Sequence, residues 1–258
     1  MTTHASGSPN WFELATADLA GAERFYTGLF GWTAQRFPMG DDGGDYTLFH
    51  LGGREVAAAY ALPVGHRAPS DWGIYFKVDD VDAVAARVAA SGGAVLAAPL
   101  EVMGMLRMAV CADAERARFS LFQPRTHDGV AAIREPNAIS WAELATRDMA
   151  RAEAFYAGLF GWTMRDHHAS PPSGYRMFGN DDGMLGGLLQ MTEAWGEMPS
   201  HWSIYIQVED VDAIVDRAQA LGGSLCFPAF DAPGVGRLAR IDDPSGAGFY
   251  VIRYVEGV

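Results

Sequence analysis

The sequence predicts an α+β protein built from four βαβββ modules, two in each of two tandem halves. Three observations lead there. Residues 11–33, WFELATADLAGAERFYTGLFGWT, align with residues 141–163, WAELATRDMARAEAFYAGLFGWT, at an offset of 130 with 17 identities in 23 positions. Self-similarity at a fixed spacing marks a duplicated structural unit. Within each half, short alternating segments are followed by an Asp and then by apolar residues at helical spacing, a pattern that recurs twice per half. The length of 258 residues also exceeds the common size of one domain.

The elements follow in order. Phe12 and Leu14 alternate with Trp11 and Glu13 and read as a first strand. Asp18 is placed to cap a helix whose Ala22, Phe25, Tyr26 and Leu29 share one face, and Gly31 stands where a helix C-terminus takes a left-handed residue. Tyr46 to Leu51 reads as a strand. Asp80 opens a second helix with Val81, Val84 and Val88 on one face, ended by Gly92, and Phe119 to Phe122 reads as a later strand.

The same offset pairs DWGIYFKVDDVDA (71–83) with HWSIYIQVEDVDA (201–213), Gly104 with Gly234, Arg107 with Arg237 and Phe119 with Phe249. The stretch around Arg125, Asp128, Gly129 and Pro136 carries little apolar period and reads as a connection. The expected domains are therefore 8–124 and 138–258, with 125–137 as the linker.

Composition narrows the function. Formal net charge is -13, from 32 acidic and 19 basic residues, and no Lys/Arg cluster supplies a phosphate-binding surface. Nucleic acid and anionic membranes are not expected as partners. The N-terminus lacks a basic start and an apolar run, and no segment approaches the ~20 apolar residues of a membrane span, so a cytoplasmic location is expected. Cys111 and Cys226 occupy apolar stretches at non-equivalent places and read as small buried filler.

Weak metal signals dissolve on inspection. Asp41-Asp42-Gly43-Gly44-Asp45 lacks the downstream Glu of a calcium loop and reads as a turn, as does Asp181-Asp182-Gly183. His167-His168 are adjacent, so on a strand they would point to opposite sides.

Taken together, the motifs resemble the vicinal oxygen chelate superfamily, which includes glyoxalase I, fosfomycin- and bleomycin-resistance proteins and extradiol dioxygenases. The resemblance rests on the Asp-helix-FYxxLFGW segments Asp18–Trp32 and Asp148–Trp162 and on the DDVDA-type segments Val78–Ala83 and Val208–Ala213. It spans nearly the whole chain. The tandem ELATxD and LFGW motifs are similar to a double-domain glyoxalase-like group that contains a mycobacterial antigen and actinomycete proteins labelled hydroxylases.

This resemblance implies that each half curls its strands into an incomplete barrel around a cavity. It also implies where a metal would sit in metal-dependent members: on a His or Gln at the start of the first strand, a His at the start of the fifth and a Glu in the last. Those positions hold Trp11 and Trp141, Gly73 and Ser203, and Ser120 and Tyr250 here. Such residues do not build a divalent-cation site, so neither a metal nor another cofactor is expected. The superfamily's shared activation of a metal-chelated oxygen loses its basis with them.

Strand alternation gives the face on which those positions lie. It holds Trp11, Glu13, Asp71, Tyr75, Lys77, Ser120 and Phe122 in the first half, and Trp141, Glu143, His201, Tyr205, Gln207 and Tyr250 in the second. Glu13 and Glu143 stand between apolar neighbours, which suits either an acid/base or anchoring group or a structural carboxylate; Lys77 is a candidate partner for Glu13. His201 has the acid/base chemistry for physiological pH, or is a bystander at the barrel mouth. The rings of Trp11, Trp141, Tyr75, Tyr205 and Tyr250 either line a cavity for a flat ligand or fill it. Arg107 and Arg237 could clamp an anion or lie along apolar surface.

Three functions fit these residues. The first is a metal-independent enzyme, of lyase, isomerase or hydroxylase-like type, acting on a small aromatic or unsaturated metabolite with Glu13 or Glu143 moving a proton and Tyr75 or Tyr205 polarising an oxygen. The second is a drug-sequestering protein of the bleomycin-resistance type. The third is a regulatory scaffold. A monomer or homodimer accommodates each.

Overall fold

The computed structural model describes residues 4–39, 44–63, 65, 69–166, 174–181 and 183–255. The His167-His168 pair, Asp41-Asp42-Gly43 and Asp182 lie outside the described residues.

The first half runs β1 (Pro9–Thr16), α1 (Leu19–Phe30), β2 (Thr33–Pro38), β3 (Asp45–Leu51), β4 (Arg54–Ala61), then β5 (Asp71–Lys77), α2 (Val81–Ala90), β6 (Ala94–Val102), β7 (Leu106–Ala112) and β8 (Arg118–Pro124). This is βαβββ twice. The second half repeats it with β9 (Ile139–Thr146), α3 (Met149–Phe160), β10 (Thr163–Asp166), β11 (Tyr175–Asn180) and β12 (Gly183–Gln190), followed by β13 (His201–Gln207), α4 (Val211–Ala220), β14 (Ser224–Leu225), β15 (Phe230–Ala232), β16 (Gly236–Asp242) and β17 (Gly248–Tyr254). Each half lays its strands in one unclosed sheet, ordered β2-β3-β4-β1-β5-β8-β7-β6 in the first and β10-β11-β12-β9-β13-β17-β16-β14 in the second, where β15 pairs with β16. No described helix is long and apolar enough to cross a membrane.

The helix boundaries follow from the residues that set them. Asp18 accepts from the Gly21 N–H at 2.8 Å, and Gly31 closes α1 at φ 71° with its N–H on Thr27 O. Asp80, Asp148 and Asp210 cap the other three helices in the same way. The strand faces opposite the ligand-position face are buried: Phe12, Leu14, Ile74, Phe76 and Val78 are each at most 1% exposed.

By contact the chain forms two units, and each draws on both halves. The first holds Met1–Trp11, Gly73–Gly129 and Trp141–Ser203; the second holds Phe12–Trp72, Val130–Ser140 and Ile204–Val258. The divisions fall inside β1, β5, β9 and β13.

Each unit is centred on the same buried hydrogen-bonded triad. In the first, Trp202 Nε1 donates to Tyr156 Oη at 3.0 Å and Tyr156 Oη donates to Asp113 Oδ2 at 3.0 Å. In the second, Trp72 Nε1 donates to Tyr26 Oη at 2.9 Å and Tyr26 Oη donates to Asp243 Oδ2 at 3.2 Å. Burial pushes Asp113 and Asp243 above the ordinary carboxylate range and both phenols well above theirs. Rings pack round each phenol: Trp162 stacks on Tyr156 at 5.4 Å, and Trp32 on Tyr26 at 5.9 Å.

The connection between halves is built into the second unit from Val130 on. Val130 and Ala132 are buried, and the N–H groups of Ala131 and Ala132 donate to Glu55 O at 2.8 and 2.9 Å. Cys111 is buried as expected, and burial pushes its thiol up to about 12. Cys226 corrects the expectation: it is exposed just past the two-residue β14, donating to Asp242 Oδ2 at 3.1 Å and accepting from Arg240 Nη1 at 3.2 Å.

Close backbone approach fixes one glycine. A Cβ on Gly186 of β12 would stand 2.2 Å from the Ala142 carbonyl oxygen of β9 and 2.3 Å from the Phe178 ring. Gly186→Ala is expected to lower stability by about 2–3 kcal/mol, read as a fall in the denaturation midpoint. An unchanged midpoint would mean that β9 and β12 separate without cost.

Candidate active site

Within the first unit, Trp141 and Glu143 are alternate residues of β9 and share a face. β12 runs parallel to β9 and sets Gly187 opposite Glu143. A Cβ on Gly187 would lie 2.0 Å from Tyr175 Oη, so the phenol occupies the room that the missing side chain leaves on this face. The same Oη accepts from Trp141 Nε1 at 2.9 Å. Glu143 is 7% exposed, a depth at which a carboxylate is held only by polar partners. A carboxyl group, an indole and a phenol are thus gathered on one face.

The second unit carries the duplicate carboxylate with a different arrangement. Glu13 is half-buried and accepts from Tyr46 Oη at 2.6 Å through Oε1. Its register partner on β4 is Ala58, whose methyl stands where Gly187 leaves space in the first unit. Also in this unit, Tyr205 and Tyr250 are register partners on β13 and β17, stacked at 4.5 Å and 8°. Gln207 donates from its backbone to Ala138 O at 3.0 Å.

The remaining sequence-derived residues are placed as follows. Trp11 is buried and meets the His127 ring edge-on at 4.7 Å, a contact across 116 residues that strand alternation does not foretell. Tyr75 is buried and pairs in register with Ser120. Lys77, suggested as a partner for Glu13, sets Nζ on the carbonyl of His4. His201 Nδ1 lies 2.9 Å from Pro199 O, an acceptor only, so Nδ1 carries a proton and donates to it.

Both arginines are spent on carboxylates. Arg107 donates from Nε and Nη2 to Asp82 at 3.0 and 2.8 Å, and Arg237 grips Asp212 twice at 2.8 Å and Asp231 at 3.2 Å. The Arg107 guanidinium holds Asp82, and Arg237 holds Asp212, below the usual carboxylate range. An anion could enter either fork only by displacing Asp82 or Asp212.

Residues 8–130 and 138–251 match the sequence model of the Glyoxalase/Bleomycin resistance protein/Dioxygenase superfamily. The chain belongs to that superfamily. Its relatives include CFP32 of Mycobacterium tuberculosis (strain CDC 1551 / Oshkosh), 35% identical over 252 residues, covering 97% of this chain and 96% of that one. The anthracycline biosynthesis protein DnrV of Streptomyces peucetius is 37% identical over 271 residues, covering 100% and 97%. Among solved structures, the Mn(II)-bound glyoxalase from Novosphingobium aromaticivorans superposes with a TM-score of 0.64 at 17% identity, covering 97% of this chain and 84% of that one. At 17% identity that last likeness is one of fold.

The positions at which the resemblance implies metal ligands, Trp11, Gly73 and Ser120 and their repeats Trp141, Ser203 and Tyr250, lie on β1, β5 and β8 and on β9, β13 and β17. An indole N–H donates rather than coordinates, that of Trp141 is already engaged by Tyr175, and glycine offers no side chain. These residues do not fit a divalent cation. Among the described residues, no group of three or more His, Cys, Asp or Glu is placed to hold one elsewhere.

Tyr46, Tyr175 and Gly187 were absent from the sequence-derived set. Tyr46 is the second residue of β3, a strand legible from the sequence, but its reach to Glu13 depends on strand order and register.

Proposed function

We propose that this protein binds a small aromatic or otherwise unsaturated metabolite without a divalent metal, and that Glu143 exchanges a proton with it. The observation that carries the reading is the buried Glu143 on the face where the Trp141–Tyr175 hydrogen bond fills the space over Gly187. A carboxyl group among rings has the surroundings in which acid/base groups are tuned, and indole and phenol offer flat surfaces with polar edges. The Tyr175 oxygen accepts from Trp141 Nε1, which holds the two rings together on this face. Proton abstraction and return beside a carbonyl, isomerase or lyase chemistry, is the reaction class such a set serves. The relatives DauV and DnrV are named for anthracycline biosynthesis, and an anthracycline is a polycyclic aromatic, which supports a flat ligand.

A second reading, capture of a drug without chemistry, draws on the stacked Tyr205 and Tyr250 and on the net charge of -13, which suits a cationic aromatic. One experiment separates them. The protein is titrated in excess chelator with a hydroxylated anthraquinone and with a cationic anthracycline, following ring fluorescence, and the recovered ligand is weighed by mass spectrometry and examined for isomerisation by chromatography. Saturable binding with conversion is expected. Saturable binding with the ligand recovered intact supports capture, and binding that appears only on adding a divalent metal sinks both.

A further inference from the structure

An open pocket of about 600 Å³ in the first unit shares no lining residue with the Trp141–Glu143–Tyr175 group. Glu115, Arg147, Arg151 and Glu197 line it, together with the Met198–Ser200 segment. Two of the four charges build its walls. Glu115 Oε2 accepts from Thr146 Oγ1 at 2.5 Å, Arg147 N at 3.0 Å and Ser200 Oγ at 2.9 Å. Burial raises this carboxyl, but those hydrogen bonds outweigh it and leave the group below its usual value, hence ionised at neutral pH. Arg147 Nη2 donates to Gly196 O at 2.5 Å and Met198 O at 2.8 Å, tying down the far wall.

The other two charges do no such work. Among the described residues, the Arg151 guanidinium and the Glu197 carboxylate line the pocket without a hydrogen bond or ion pair, to each other or to any neighbour.

The duplication provides an internal comparison. At the offset of 130, Glu115, Arg147, Arg151 and Glu197 match Ser245, Ala17, Gly21 and Arg67. In the second unit Ala17 N donates directly to Ser70 Oγ at 3.0 Å. In the first, the Glu115 carboxylate stands between the equivalent Ser200 hydroxyl and Arg147 N–H. At this wall the second unit thus joins the equivalent backbone and hydroxyl directly, without an intervening carboxylate.

We infer that this pocket binds a small zwitterion, its carboxylate on Arg151 and its ammonium on Glu197. A dipolar ligand satisfies both unpaired charges at once, whereas a simple anion or cation leaves one unmet. The two groups make no ion pair with each other, so each remains open to an opposite charge on the ligand.

Isothermal titration with β-alanine, 4-aminobutyrate and 6-aminohexanoate, against propionate and propylamine as single-charge controls, tests this. One chain length should bind saturably and at least about tenfold more tightly than either control. Arg151→Gln and Glu197→Gln should each weaken it by about tenfold. Both positions are exposed, so thermal midpoints should not move. Glu143→Gln should leave zwitterion binding unchanged, which keeps this result independent of the proposed active site. The inference falls if no zwitterion saturates, if propionate or propylamine binds as well as the best zwitterion, or if either substitution leaves the affinity intact.

Discussion

Asp113→Ala is expected to lower the thermal midpoint by about 10 °C, from a loss of roughly 3–5 kcal/mol. Asp113 is 4% exposed, and its carboxylate serves three donors: Tyr156 Oη at 3.0 Å, Glu115 N at 2.8 Å and Ala117 N at 2.9 Å. Alanine leaves all three unpaired, with Tyr156 wholly inside the core. Asp243→Ala should do the same in the second unit, where Tyr26 Oη, Ser245 N and Ala247 N are the orphaned donors.

The pH dependence has an unusual sign for an aspartate. Burial raises Asp113 above its ordinary 3.8, so the folded state binds the proton more tightly than the unfolded chain. That contribution is fully present below pH 3.8 and is lost as pH rises through the raised folded value. Asp113→Asn keeps an oxygen for the two backbone N–H groups but presents an amide N–H₂ to Tyr156. Its loss should be smaller, about 1–2 kcal/mol, and this component of the pH dependence should disappear. Melts from pH 3.5 to 7 followed by circular dichroism read both effects. A midpoint for Asp113→Ala within a degree or two of the parent would show that Tyr156 finds another acceptor.

What the sequence revealed and what it hid divide along the range of the interaction. Asp18 capping α1 and Gly31 closing it are local, and period alone places them. Trp141 and Glu143 on one face follow from alternation, again a local rule. The triads are not local: Tyr26 reads as one more apolar residue on a helix face, and its acceptor Asp243 lies 217 residues away in a turn whose composition predicts only a turn. Tyr175 reaches Trp141 because Gly187 stands opposite Glu143, a register that no single strand encodes. Arg107 and Arg237, read from the sequence as anion clamps or as cover for apolar surface, pair with Asp82 and Asp212, which repeat at the same offset but lie 25 residues away on a helix. The exchange of modules between halves is equally invisible, because two near-identical copies of one helix face match either partner alike.

Glu143→Gln is the substitution expected to separate chemistry from binding most sharply. The amide is isosteric with the carboxyl group, so a ring ligand that leans on Trp141 and Tyr175 should bind within about threefold of the parent, whereas a group that must exchange a proton no longer can. A general acid/base contributes about 10²–10⁴ in rate, and kcat should fall by that order with KM little changed. The arm of the kcat–pH profile that belongs to Glu143 should vanish with it. Tyr175→Phe makes the complementary case: it removes the acceptor of the Trp141 N–H, loosening the ring against which the ligand stacks, and should raise KM by about fivefold at near-constant pH profile. Glu13→Gln is the control, because Glu13 sits half-buried in the other unit on its own tyrosine, Tyr46. If Glu143→Gln instead raises KM tenfold and spares kcat, the carboxylate anchors the ligand and the proton moves elsewhere. If it changes neither, Glu143 is a structural acid and the proton is exchanged by another group.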